Sequence, residues 1–168
     1  GGENGDQLAS DSNYSSDRFG WHEYQAGPNM LCRPPSDCSA QEIEDYASRF
    51  AYPGQNPTRP VADGEVYLVY FPGTAVPAGY VQTFVSDDGL TVTNVTRPLH
   101  LLYDGQIQRT FRRTPDGTWQ VVTQGIGNNV IPGMNSLNEV FGPMIFNGMD
   151  ERMKSAIEQH HGLKPADK

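Results

Sequence analysis

At 168 residues, with 20 acidic side chains against 12 basic ones and a formal net charge of −8, the chain has the size of one domain with one core. The acidic balance excludes a broad nonspecific nucleic-acid surface, which needs an excess of Lys and Arg to neutralise phosphates. No stretch approaches the ~20 consecutive apolar residues of a membrane helix, so no membrane is expected among its partners.

The chain begins with a polar, glycine-rich run from Gly1 through Ser16, and residues 1–18 read as a flexible linker ahead of a single domain over 19–168. Such a start resembles what is left when a domain is separated from a larger protein, and no leader sequence is recognisable in it. Cys32 and Cys38 enclose Arg33-Pro34-Pro35-Ser36-Asp37, a short stiff loop that either a disulfide closes or two structural thiols flank. Two cysteines without matching histidines do not make a zinc site, and no metal is expected. Ser39 and Glu42 then form a capping box, with Ile43, Tyr46, Ala47 and Phe50 at helical spacing up to Pro53-Gly54.

From Val61 to Phe71 the run Val66-Tyr67-Leu68-Val69-Tyr70-Phe71 predicts a strand buried on both faces and central in its sheet. Two hairpins follow. Gly79 to Val85 and Leu90 to Thr96 are joined by Ser86-Asp87-Asp88-Gly89, and Gly105 to Arg113 and Thr118 to Thr123 by Thr114-Pro115-Asp116-Gly117. After Thr123, the stretch Gln124-Gly125-Ile126-Gly127-Asn128-Asn129 predicts a structural loop, its Gly-x-Gly spacing being a weak cofactor signal without a third glycine. A short helix over Ser136 to Phe141 and another over Asp150 to His161 complete the pattern. His160 and His161, being adjacent, diverge on a helix and read as helix-end cations. The expected architecture is α+β: an N-terminal helix, an antiparallel sheet of about four to five strands, and C-terminal helices packed on one face.

Alternation along the strands places Ile107, Arg109 and Phe111 on one face, with Trp119, Val121 and Thr123 on the matching face of the next strand. A lone guanidinium on an apolar face demands a strong acceptor, so Arg109 is either half of an internal ion pair with a helix carboxylate or a substrate-binding cation. His100, after Pro98, is either a partly buried strand-end histidine or a general acid–base group. Thr123 either fills a strand position or hydrogen-bonds a ligand. From Arg97 to Arg113 four arginines face only Asp104, a local positive excess suited to a focused anion site.

The pattern Asn94-x-Thr96-x-x-x-His100, then Asp104-Gly105-x-Ile107-x-Arg109, then Thr123-x-Gly125-x-Gly127-x-Asn129 resembles toxin modules at the C-termini of bacterial polymorphic toxins of the Rhs and contact-dependent-inhibition type, over about residues 20–162. The resemblance implies a ribonuclease of the barnase, EndoU, colicin D or RelE kind. It implies a metal-independent, cofactor-free and monomeric enzyme, secreted or delivered (as by type VI secretion) into a target-cell cytoplasm within a larger effector, and opposed by a cognate immunity protein. Carried over by residue type, it makes His100 the proton-transfer group, Arg109 the stabiliser of phosphoryl charge and Thr123 a phosphate ligand, with Asn94, Arg97, Asn128 and Asn129 binding RNA. The alternatives are a toxin that consumes NAD, as a glycohydrolase or ADP-ribosyl transferase, and a non-enzymatic secreted binding module. The sequons Asn13-Tyr14-Ser15 and Asn94-Val95-Thr96 belong to the last of these.

Overall fold

β-branched and aromatic residues at alternate positions build a six-stranded antiparallel sheet, and the computed structural model describes residues 14–163. In chain order the elements are β1 (Trp21–Cys32), α1 (Ala40–Arg49), β2 (Val66–Tyr70), β3 (Pro77–Val85), β4 (Thr91–Thr96), β5 (Gly105–Arg113), β6 (Trp119–Asn128) and α2 (Met134–His160). Strands β2 to β6 form a meander, and β1 adds itself beyond β6, giving the order β1-β6-β5-β4-β3-β2. The domain is thus α+β, with six strands where four to five were expected, and with a strand rather than a helix first.

Strand β1 escapes the sequence pattern because Gly27-Pro28 interrupts it. Proline has no N–H for a ladder, so a strand containing it belongs at a sheet edge. β1 is such an edge, and its register with β6 slips between Ala26 and Asn29, where the proline sits. The apolar run of β2 suggested a central strand; it is instead the opposite edge, with Val66 and Tyr70 exposed and only Val69 buried. A short apolar run does not by itself distinguish two buried faces from one.

Strand β6 continues to Asn128 through the stretch expected to be a loop. Gly127 is required there by close approach: a Cβ on it would lie 2.4 Å from the Asp104 carbonyl oxygen and 2.6 Å from the Gly105 Cα. The two expected C-terminal helices are one, running unbroken through Pro143.

Pairing registers place the inner-face residues in cross-strand rows. One row reads Ala26, Thr123, Arg109, Val92, Val85; the next reads Tyr24, Gly125, Ile107, Asn94, Thr83. Beyond Arg109 lies a filled core in which Phe111, Val121, Val92 and Leu31 pack with Ile43 and Ala47 of α1 and Met153 and Ile157 of α2. A smaller cluster, Ala26, Phe146 and Met149, backed by Tyr24 and Ile107, packs the middle of α2 on β1, β5 and β6. The helix lies on the β1–β6 side of the sheet, so the space between its first turns and β2 to β5 is not filled by side chains.

Of the expected linker, residues 1–13, including the first sequon's Asn13, lie outside the described residues. Tyr14 to Arg18 are not linker-like: Tyr14 is buried, and Ser15 and Arg18 bond to Asn128. Replacing Gly127 by Ala should lower stability by about 1–3 kcal/mol, since its close neighbours are backbone atoms that cannot rotate aside. Denaturant unfolding of Gly127→Ala measures this; an unchanged midpoint would show that the β5–β6 end has slack.

Candidate functional site

Alternation brings Arg109 to the inner face at the centre of the sheet, where it is fully buried. Its Nη2 donates to Asp150 Oδ1 at 2.9 Å and its Nη1 to Thr123 Oγ1 at 2.8 Å. Asp150 is itself buried in α2 and accepts a 2.7 Å hydrogen bond from Asn29 Nδ2 through its other oxygen. The rings of Phe111 and Phe146 lie 5.5 and 5.7 Å from the guanidinium carbon. Burial draws the Arg109 pKa down and Asp150 opposes that, and the guanidinium stays charged. Arg109 and Thr123 are therefore members of one buried network that engages both of the arginine's terminal nitrogens, while its Nε has no partner among the described residues. Of the two sequence readings of Arg109, the internal ion pair is the one present; binding a phosphoryl group would require taking this pair apart.

The four expected substrate-binding residues also have structural partners. Asn94 is buried, accepts from Thr83 Oγ1 at 2.5 Å and donates to the Ala51 carbonyl at 2.7 Å, which also closes it to glycosylation as a sequon. Asn128 accepts from Ser15 N and Arg18 Nη2 and donates to the Ser15 and Arg18 carbonyls, clamping the segment before β1. Asn129 donates to the Leu102 carbonyl and accepts from Asn138 Nδ2. Arg97 is exposed and reaches Gln82 Oε1 at 3.3 Å. The amides are used to hold loops and strand ends, the geometric role their short polar side chains serve well.

His100 stands apart from Arg109 and Thr123. It lines a cavity of about 490 Å³ between the inner face of the sheet and the first half of α2, which neither of the other two residues borders. The remaining wall includes Tyr24, Val81, Ile107, Leu102 and Phe146 and, among the described residues, no Lys or Arg. Tyr70, Leu137 and Phe141 border it while remaining partly exposed, marking its mouth. Sequence reasoning missed this space because its wall residues come from five strands, α2 and the segment after α1, and no local spacing connects them.

The His100 ring accepts a 3.0 Å hydrogen bond from Leu102 N at Nδ1, so its proton sits on Nε2, for which no protein partner is found among the described residues. Burial lowers its pKa from 6.5 to about 4. His22, also on the wall, is held neutral in the same sense by burial, with Nδ1 3.3 Å from the Gly20 carbonyl and Nε2 3.3 Å from Asn138 Nδ2. Burial raises the Tyr24 phenol well above its ordinary pKa, so it stays protonated. The wall thus offers neutral donors on an apolar surface. Such a surface can hold an uncharged molecule and orient it by an acceptor atom, and it opposes entry of an anion.

At the other end of α2, Cys32 and Cys38 are joined in a disulfide with a Cα separation of 6.4 Å. Glu42 completes only half of the expected capping box: Ser39 Oγ accepts from Glu42 N at 3.1 Å, but the carboxylate turns to His161, with Oε2 2.8 Å from Nε2. His160 Nε2 lies 3.8 Å from the same oxygen, so the two histidines converge on Glu42 rather than diverge.

No family model matches the chain, and no curated protein does. Among solved structures, protein NE0264 from Nitrosomonas europaea is similar, with 11% identity and a TM-score of 0.49 over 84% of this chain and 96% of that one.

Truncating one member of the buried pair, as Arg109→Met or Asp150→Leu, should cost roughly 3–5 kcal/mol by stranding the other, whereas the double replacement should recover most of that loss. Urea unfolding of the three variants tests it, and additive losses would show that the pair is not coupled. Because the folded state keeps His100 neutral well below its unfolded pKa, its contribution is intact above pH 6.5 and is lost as pH falls toward 4, by at most about 3 kcal/mol. Thermal midpoints measured between pH 7 and 5 should fall less steeply in His100→Gln than in the parent; parallel curves would place the titration elsewhere.

Proposed function

We propose that this domain binds a small, uncharged and largely apolar ligand carrying a hydrogen-bond acceptor, held between the sheet and the first half of α2. The observation that carries this is the cavity itself: about 490 Å³ lies within the size range of small-molecule sites, and its wall combines apolar side chains with a few fixed donors. His100 Nε2–H is the donor we assign to the ligand's acceptor, since its other nitrogen is engaged and its low pKa keeps the ring neutral at pH 7. The exposed Tyr70, Leu137 and Phe141 offer an apolar path at the mouth. This is the binding-module reading of the sequence, with the ligand class now specified.

An RNA-cleaving toxin with an immunity partner, or an NAD-consuming one, is the competing proposal. Either substrate brings phosphates, and among the described residues the cavity wall contains no Lys or Arg to offset their charge. In the RNA-cleaving mechanism Arg109 would also have to leave Asp150. No helix among the described residues is long and apolar enough to cross a membrane.

The test uses 6-propionyl-2-(dimethylamino)naphthalene, an uncharged naphthyl ketone whose emission reports polarity. Saturable blue-shifted binding at one site per chain is expected. Val81→Trp, which fills the cavity from its floor, should abolish binding while leaving thermal stability equal or higher, and His100→Phe should weaken it several-fold. Neither NAD nor an oligoribonucleotide should compete. Absence of saturable binding, or turnover of RNA or NAD by the purified domain, would replace this proposal with the enzymatic one.

A further inference from the structure

The corner where β1 ends, α1 begins and α2 ends gathers more metal-ligating chemistry than its disulfide uses. Cys38 Sγ, a Glu42 carboxylate oxygen and His161 Nε2 all lie within 4.8 Å of one another. His161 Nε2 is 3.4 Å from Cys38 Sγ and 2.8 Å from Glu42 Oε2. Cys32 is present by necessity, bonded to Cys38. Nothing in the sequence spacing joins these groups, because His161 is 123 residues from Cys38.

We propose that Cys32, Cys38, Glu42 and His161 form a zinc site that becomes available when the disulfide is reduced. In the oxidised state each sulfur is neutral, and His161 is satisfied by Glu42. Reduction by a dithiol balances as follows: a thiolate of the reductant attacks one sulfur, the other cysteine leaves and takes a proton, and the reductant's second thiol displaces the first cysteine. The reductant ends as its own disulfide and the protein carries two thiols. A divalent zinc ion then displaces both thiol protons and meets two thiolates, one imidazole nitrogen and one carboxylate oxygen, a tetrahedral donor set of the structural kind.

The spacing supports this. With Zn–S near 2.3 Å and Zn–N near 2.0 Å, a tetrahedral site needs its nitrogen and sulfur about 3.5 Å apart, and Nε2 and Cys38 Sγ already stand at 3.4 Å. The Glu42 oxygen must withdraw by about half an ångström, and the two sulfurs must open to roughly 3.8 Å, a movement of side chains. Cys32 and Cys38 are both buried, while Glu42 and His161 are partly exposed, so the site has a dry floor and a way in. Without a metal, reduction would remove the covalent tie at this corner and leave its two thiols beside the Glu42–His161 pair. With zinc, the same three chain segments stay tied in either redox state.

The experiment titrates cobalt(II), as a spectroscopic stand-in for zinc, into the domain kept reduced by a phosphine, with the air-oxidised domain alongside. The reduced domain is expected to bind one cobalt per chain, with tetrahedral visible bands and thiolate-to-cobalt charge transfer, and zinc should displace it. The oxidised domain should show neither. His161→Ala and Glu42→Gln, which keep both cysteines and can be purified folded with the disulfide intact, should each weaken binding at least tenfold after reduction, while His160→Ala should leave it unchanged. Zinc should raise the thermal midpoint of the reduced protein and leave that of the oxidised protein as it was. Absence of stoichiometric cobalt binding, or undiminished affinity in His161→Ala, overturns the proposal.

Discussion

One ion pair sets the position of everything else in this domain. Arg109 and Asp150 are both buried, so neither can be relieved by water, and each has a reason to keep the other within 3 Å. Arg109 is fixed in the middle of β5 by ladder hydrogen bonds on both sides, to β4 and to β6. Asp150 is fixed midway along α2. Joining them determines where along the sheet the helix lies and which of its turns faces which row of inner residues. Thr123 and Asn29 extend the polar network by taking up one donor and one acceptor, while Arg109 Nε is left without a partner among the described residues.

The pair also separates two halves of unlike packing. On one side Met153 and Ile157 of α2 meet α1 and the row containing Phe111 and Val121, and the interior is full. On the other, Phe146 begins the wall of the cavity, and the helix continues toward its N-terminus along a sheet whose far strands it does not reach. A hollow of this size would ordinarily cost stability, because its lining loses contacts that a filled interior supplies. A ligand occupying such a space would offset that cost by restoring the missing contacts. The filled half, with its cysteine and histidine corner, acts as the anchor.

The residue types expected to do chemistry each meet a structural demand in the fold. An arginine on an apolar strand face does demand a partner; Asp150 answers that demand from inside the molecule. Amide side chains do meet backbone groups the ladders leave unpaired, and Asn94 within β4 and Asn128 and Asn129 at the end of β6 each bond to one or more backbone carbonyls. His100 lies on the cavity wall, apart from Arg109 and Thr123, with Nδ1 engaged by Leu102 N.

What the sequence determined by itself were the features of short range. Turn residues Ser86 to Gly89 and Thr114 to Gly117 placed both hairpins, since only certain residues adopt such turns, and period-two alternation assigned Arg109, Phe111, Val121 and Thr123 to the inner face. Strand β1 was illegible because Gly27-Pro28 broke its pattern, and the single helix α2 contains Pro143, a residue that helix interiors disfavour. The rest was decided by contacts between residues far apart in the chain: Arg109 with Asp150, 41 positions on, and Cys38 with His161, 123 positions on. The cavity is of the same kind, since an empty space has no residue of its own. Local patterns report the conformation of a segment and the face a side chain takes, but whether that face meets a carboxylate, a ring or a void depends on how segments pack, which no nearby spacing encodes.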